Sequence, residues 1–291
     1  MLDARGAALA VLTGLLLPAP CLAAPVPPAP SLQTPAAPVE RQAMLLKSVP
    51  TQKKLIAFTF DDGPNRRYTP QVLSLLHQYK AHATFFVIGQ EVVRFPEMVQ
   101  KIQAAGMELG NHGMNHKYLN KLTPDEAQQE ITGGGDAIVG AGGKAPYLYR
   151  LPGGFSSDSS GKVLGKLGYT VIGWSVDTRD WRRSITPERI ERTVMREAAP
   201  GKIVIMHDGS VHREATLAAL GKVLPQLESQ GYEIVSIGTL LRQSDYAALR
   251  KLPPQTCQKK AKPKPATPQR PARTGWLRRL LPGTRPGGQA K

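Results

Sequence analysis

Between residues 53 and 242, seven apolar runs of strand length alternate with longer amphipathic segments, and this alternation admits few architectures. The runs are "KLIAFTF", "ATFFVIG", "MELGN", "YLYRLP", "TVIGWSVD", "KIVIMHD" and "EIVSIG". Helical patterns fall at 69–79, 96–105, 123–139, 159–167, 187–198 and 214–230. Two of these helices open on Thr-Pro, in "LTPDEA" and "ITPER", which puts a capping hydroxyl ahead of a proline at the first helical position. The weakest is 123–139, because the three glycines of "ITGGGDAIVGAGG" cost it about 2–3 kcal/mol against alanine. Alternation of this kind predicts parallel strands with the helices outside. A full eight-unit barrel needs about 250 residues. The shorter stretch here predicts an incomplete or distorted (β/α)7 barrel of mostly parallel strands with outer helices.

In such a fold the chemistry gathers where strands end. The run "IAFTFDDGPN" delivers Asp61 and Asp62 side by side into a Gly-Pro turn, where two like charges repel. Later strand ends lead into "GNHGMNH" with His112 and His116, "YRLPGG" with Arg150, "DTRDW" with Asp177, Asp180 and Trp181, and "MHDG" with His207 and Asp208. Histidines four residues apart lie on one face of a helical turn, within reach of one ion. With a carboxylate from the first strand they make a two-histidine, one-carboxylate set that leaves coordination positions open. A divalent cation also removes the repulsion between the two aspartates: one can ligate it while the other accepts a proton.

The net charge of +16 invites a nucleic-acid reading, but twelve of those positive charges lie in residues 250–291, which hold no Asp or Glu. The remainder is nearly balanced. Residues 1–24 carry Arg5, an apolar run at 7–17 and then small residues, the pattern of a secretory signal peptide; the run is short for a transmembrane helix, and an uncleaved anchor is the alternative. Residues 25–52 are Pro- and Ala-rich and read as a linker. The basic, Pro-rich tail at 243–291 buries too little apolar surface to offset chain entropy and reads as disordered. Of the two cysteines, Cys21 falls in the signal and Cys257 in the tail, so no disulfide within the mature chain is expected. The expected location is outside the cytoplasm: periplasmic, envelope-associated or secreted. The tail reads either as a solvated run of like charges or as attracted to an anionic envelope polymer or lipid surface, rather than to nucleic acid.

"TFDDGP", "HGMNH", "RLPGG", "DTRDW" and "IVIMHD", in this order, resemble the five motifs of the polysaccharide deacetylases that share the NodB-homology domain. The resemblance spans residues 53–242. It implies hydrolysis of N-acetyl groups on amino sugars of an envelope or extracellular glycan, whether peptidoglycan, poly-N-acetylglucosamine or a chitin-like oligomer. Position by position it implies Asp61 as general base, with Asp62, His112 and His116 as ligands of one divalent metal. Zinc is the first expectation, and Co, Ni, Mn and Fe suit the same ligands. Arg150 matches the residue that pairs with the base and favours its ionised form. His207 matches the general acid and Asp180 the carboxylate that orients it. The backbone N–H of Gly153 matches an oxyanion donor, and Trp181 and Ile205 match apolar walls around the acetyl methyl group. Two positions depart from the family pattern: Gly113 stands where Ser or Thr is common, and Gly153 where many members have an aromatic.

Each motif also has a plainer reading. "DDGP" alone is a turn signal, Asp208 reads as a cap for the turn before Gly209, and His77, His82 and His212 read as surface or packing residues. Two other functions use the same residues: a glycan-binding protein without turnover, and a facial triad holding Fe(II) for oxygen chemistry. A separate acid and base at one mouth favour the hydrolase.

Overall fold

Nine strands form one curled sheet in the structure, a computed structural model that describes residues 43–210 and 212–244. The expected signal segment, the expected linker up to residue 42 and the tail beyond Ser244 lie outside the described residues. In chain order the strands and helices are β1 Leu45–Leu46, β2 Leu55–Asp61, α1 Thr69–Gln78, β3 Ala83–Val87, α2 Gly89–Arg94, α3 Pro96–Ala104, β4 Glu108–Asn111, α4 Pro124–Gly140, β5 Leu148–Tyr149 and α5 Asp158–Lys166. They continue as β6 Thr170–Ile172, β7 Val176–Asp177, α6 Pro187–Glu197, β8 Ile203–His207, α7 Glu214–Ser229, β9 Glu233–Val235 and α8 Ile237–Gln243.

The sheet order is β1-β6-β5-β4-β3-β2-β8-β7, with β9 beside the start of β2, and every strand pair is parallel. The run "TVIGWSVD", expected as one strand, is divided by Gly173, Trp174 and Ser175. Its first part pairs with β5 (Leu148↔Thr170) and its last with β8 (Val176↔Val204). One continuous segment therefore joins the two sides of the sheet, and the sheet curls into the incomplete (β/α)7 barrel that the alternation predicts. Residues 43–52, read from composition as linker, are not all linker. Leu45 and Leu46 pair with Val171 and Ile172, Ser48 bridges to Lys202, and Leu46 and Val49 are buried across the remaining gap.

Alternation along β2 sorts the barrel into outside and inside. Ile56, Phe58 and Phe60 pack outward against Val72 and Leu76 of α1 and Leu220 and Val223 of α7. Leu55 and Ala57 point inward and plug the base with Phe86, Ile203, Ile237 and Leu240. Each large side chain buried this way contributes about 1.5–3 kcal/mol. The next inward positions are Thr59 and Asp61, so the same strand passes from an apolar plug to a polar mouth.

Helix α4 runs unbroken through the three glycines, its start fixed by a capping box between Thr123 and Glu126. The glycines serve the loop that lies on the helix. A Cβ on Gly134 would fall 2.7 Å from Gly113 C and 2.8 Å from its carbonyl oxygen, so only glycine admits this approach. Two short helices, α2 and α8, were not expected. "EIVSIG" is a strand only to Val235, because the Ser236 side chain accepts from Thr239 N–H and starts α8 there.

Candidate active site

Asp61 ends β2 with its side chain buried inside the barrel, and Asp62 follows at φ 68°. That left-handed turn swings Asp62 away from the strand direction, so the two adjacent carboxylates serve different surroundings. Asp208 N–H and Gly209 N–H both donate to Asp61 O, at 3.1 and 3.3 Å, and fix the turn against the end of β8.

The second element is the loop after β4. Two oxygens of the buried Glu130 side chain, on α4, accept from Asn115 N (2.6 Å), Asn115 Nδ2 (3.0 Å) and Lys117 N (3.2 Å). They hold the chain on both sides of His116. His112 Nδ1 lies 2.8 Å from Arg150 O, an acceptor only, which assigns the proton to Nδ1 and leaves Nε2 bare. That Nε2 lies 3.5 Å from Asp62 Oδ1, and His116 Nε2 lies 3.3 Å from the same oxygen. The carboxylate oxygen and imidazole nitrogens that Asp62, His112 and His116 could offer one ion all sit within 4.8 Å of one another.

Asp62 Oδ1 is buried without a hydrogen-bond partner among the described residues. Burial alone raises a carboxyl pKa, but the neighbouring imidazoles, His112 foremost and then His207 and His116, outweigh it and hold Asp62 well below the usual carboxylate range. His116 is shifted down, first by burial and then by His112, against the pull of Asp62 and Asp61. An orphaned carboxylate oxygen facing two imidazole nitrogens is a donor set that fits a divalent cation.

Arg150 is fully buried after β5, its guanidinium 4.2 Å over the Phe86 ring. Nη1 donates to Asp61 Oδ1 (2.8 Å) and Thr59 Oγ1 (2.6 Å), Nε to Ile172 O (3.2 Å) and Nη2 to Gly173 O (3.0 Å). Burial shifts this guanidinium down from its ordinary value, and Asp61 opposes the shift. Such an array holds Asp61 in one orientation.

On the other flank, Asp61 and His207 are register partners on β2 and β8. Asp180 accepts twice from His207: its Oδ1 lies 2.7 Å from Nδ1, and its Oδ2 2.8 Å from the backbone N. Thr216 Oγ1 donates to Asp180 Oδ2 (2.8 Å), and Arg213 Nη1 to Asp180 O (3.2 Å). Burial lowers the His207 pKa, but the Asp180 charge and hydrogen bond, with Asp61 and Asp62, push it up to about 9. Burial likewise raises Asp180, yet His207 and Arg213 bring it below its ordinary value.

The structure therefore brings Asp61, Asp62, His112, His116, Arg150, Asp180 and His207 to one mouth. Ile205 lies one inward step below His207, opposite Thr59 in register. Trp181 is not drawn in: its ring is 55% exposed, with the Arg182 guanidinium 5.3 Å over it. Gly153 occupies a turn at φ 64°, where a Cβ would meet the Phe155 ring at 2.8 Å and the Tyr118 ring at 3.2 Å. Phe155 and Tyr118, 52% and 38% exposed, stack edge-on at 5.4 Å, and Tyr118 also stands 6.3 Å from the His116 ring.

Several site residues escaped the sequence reading. Glu130 sits in a helix where an acidic residue reads as solvent-facing, and Phe155 lies immediately after "RLPGG". Asp208 does not cap its own turn. It is buried, accepts a hydrogen bond from the Thr69 hydroxyl, and lies so close to Gly63 that a Cβ there would approach its carboxylate to 2.6 Å. Burial pushes Asp208 up to about 7 against that hydrogen bond, with Asp62 and Asp61 adding to the rise.

Residues 48–172 match the family model described as polysaccharide deacetylase. The chain is 44% identical over 196 residues to a peptidoglycan-N-acetylglucosamine deacetylase of Bacillus cereus, covering 67% of this chain and 91% of that one. The chain belongs to the polysaccharide deacetylase family. A second relative in the family, a chitooligosaccharide deacetylase of a Bradyrhizobium species, is 37% identical over 62% of this chain and 87% of its own. Among solved polysaccharide deacetylases, a peptidoglycan N-acetylglucosamine deacetylase superposes with a TM-score of 0.67 at 31% identity, covering 73% of this chain and 99% of that one. A pseudoenzyme of carbohydrate esterase family 4 from Bacillus anthracis superposes at 0.64 with 28% identity, covering 69% of this chain and 70% of its own. The fold is thus common to members with and without turnover, and the side chains have to separate them.

Proposed function

We propose that this polysaccharide deacetylase is a metal-dependent hydrolase that removes the N-acetyl group from N-acetylglucosamine units of an envelope glycan of the peptidoglycan type. The observation that carries the reading is the register of Asp61 against His207, with Asp62, His112 and His116 beside them. The peptidoglycan relative at 44% identity supports the choice of polymer.

Asp62, His112 and His116 would hold the ion, and zinc suits two imidazoles and a carboxylate, although Co, Ni, Mn or Fe suit them too. When bound, such an ion polarises an amide carbonyl and acidifies water. Asp61, held by Arg150, takes the proton of the attacking water, whose oxygen bonds to the acetamide carbon. The Gly153 N–H donates to the developing oxyanion. His207, kept protonated by Asp180, gives its proton to the amide nitrogen as the C–N bond breaks. Acetate and a free amine result. Ile205 lines the methyl side.

Retention without turnover, as in the pseudoenzyme neighbour, is the competing reading, and the presence of Asp61, Arg150 and His207 in hydrogen-bonded positions argues against it. Export by the segment at 1–24 would bring the enzyme to the polymer, and the basic tail at 243–291 would favour anionic envelope surfaces. Among the described residues no helix is long and apolar enough to cross a membrane. Acetate release measured across peptidoglycan, poly-N-acetylglucosamine and chitooligosaccharide tests the reading. Fastest release from peptidoglycan is expected, and release from none of the three would refute it.

A further inference from the structure

A cavity of about 400 Å³ lies beside the catalytic mouth, lined by Arg179, Arg182, Arg189, Arg192 and Arg196 together with Asp177, Thr178 and Glu197. Its position is set by the segment that carries Asp180. Thr178 lines the cavity and donates to Ile205 O at 2.7 Å, while Asp180, two residues on, holds His207. One short stretch of chain thus has the cavity on one side and the catalytic pair on the other.

The charges in the cavity do not cancel. Glu197 is paired with Arg196 at 2.5 Å and Asp177 with Arg179 at 3.9 Å. Arg182, Arg189 and Arg192 have no carboxylate partner among the described residues. The other acids of α6, Glu188 and Glu191, turn towards Lys222 of α7, at 3.2 and 3.8 Å. Helix α6 therefore segregates its charge, with acids against α7 and a stripe of arginines at 189, 192 and 196 facing the cavity. Like charges at such spacing repel, a cost that an anion in the cavity relieves. Guanidinium forks match planar oxyanions in two-point contacts.

We propose that this arginine-lined cavity is a second binding site, for carboxylates carried by the glycan whose acetamide occupies the mouth. The proposal rests on the deacetylase reading for the identity of the polymer. A glycan is favoured over other polyanions because Thr178, in the cavity's lining, stands two residues from Asp180, which holds His207. The carboxylate is either an ether-linked acid on the sugar or an acid of an attached peptide. Neutral chitin-like chains gain nothing there.

The test is equilibrium binding by the whole protein of a peptide-free acidic glycan strand, the same strand with its carboxyls methyl-esterified, and a peptide-bearing strand. Wild type is compared with Arg189→Gln/Arg192→Gln and with Lys101→Gln/Lys166→Gln, a pair of exposed residues that controls for net charge. Gln keeps helix propensity close to that of Arg. Esterification is expected to weaken wild-type binding about tenfold, the scale of one good charge-assisted contact, with the gap narrowing as salt rises. The arginine variant should lose that gap while binding the ester like wild type, and the lysine variant should keep it. A gap only for the peptide-bearing strand places the carboxylate on the peptide. Wild type that ignores esterification of either strand, or an arginine variant equally weak on acid and ester, overturns the proposal. So does a variant that loses affinity for anionic lipid vesicles alone. Acetate release by wild type on the same strands reports separately on the deacetylase reading, since the binding ratios need no turnover.

Discussion

Asp61 on β2 and His207 on β8 are direct register partners, so a carboxylate and an imidazole project from one rung of the sheet. Each is held from outside the pair: Asp61 by Arg150 at 2.8 Å, His207 by Asp180 at 2.7 Å. The trio of Asp62, His112 and His116 stands beside them, with His112 Nε2 3.9 Å from Asp61 Oδ2.

His207 should titrate late. In metal-free protein its imidazole resonances are expected to shift with a midpoint of about 9. Asp180→Asn should bring the midpoint down towards the ordinary histidine value of about 6.5. The folded-state value is raised, so the stability this pair contributes is fully present below about pH 6.5 and is lost as pH rises through about 9. Deacetylation should lose its alkaline limb in the same direction in the Asp180→Asn variant. A midpoint unmoved by that change would contradict the assigned pairing.

Arg150→Met should leave Asp61 buried beside an apolar chain. Breaking a buried pair from one side costs about 3–5 kcal/mol, and urea unfolding should show it. Adding Asp61→Asn should recover part of the loss, because the uncompensated charge goes with it. Strict additivity of the two changes would show that they do not interact.

Glu130→Gln should weaken metal binding while the fold persists. The carboxylate holds the backbone on both sides of His116, and losing such support typically costs roughly 10–100-fold in metal affinity. Zinc titration with a competing chelator measures this, with circular dichroism as the check on folding. Unchanged affinity would show the loop to be held by other contacts.

Gly153→Ala should displace the Phe155 ring and place a side chain at φ 64°, costing about 1–2 kcal/mol of stability. Phe155→Ala should raise KM on glycan substrates severalfold with kcat little changed, if the Phe155–Tyr118 pair stacks on a sugar ring. The aromatic that many family members carry at position 153 is then replaced by one reaching in from position 155.

The seven positions gathered at the mouth were legible because they fall at strand ends, where a short polar motif interrupts an apolar run. Their supports were not. Glu130 acts through backbone N–H groups of residues 13 and 15 positions earlier, a relation no local pattern carries. The triple glycine in α4 looked like a helix breaker and is the surface on which the histidine loop lies. "TVIGWSVD" looked like one strand because a continuous apolar run does not reveal where it changes partner. Leu45 and Leu46 were lost in Pro- and Ala-rich surroundings, though they pair with β6 across the barrel's open side.

Acetate release from peptidoglycan by wild type, by metal-stripped and re-metallated protein, and by Asp61→Asn tests the central claim most directly. Stripping should abolish turnover and zinc should restore it. Asp61→Asn should bind metal yet lose about 10²–10⁴ in rate, the usual contribution of a general base. Turnover by the stripped protein, or an Asp61→Asn enzyme working at the wild-type rate, would contradict the account.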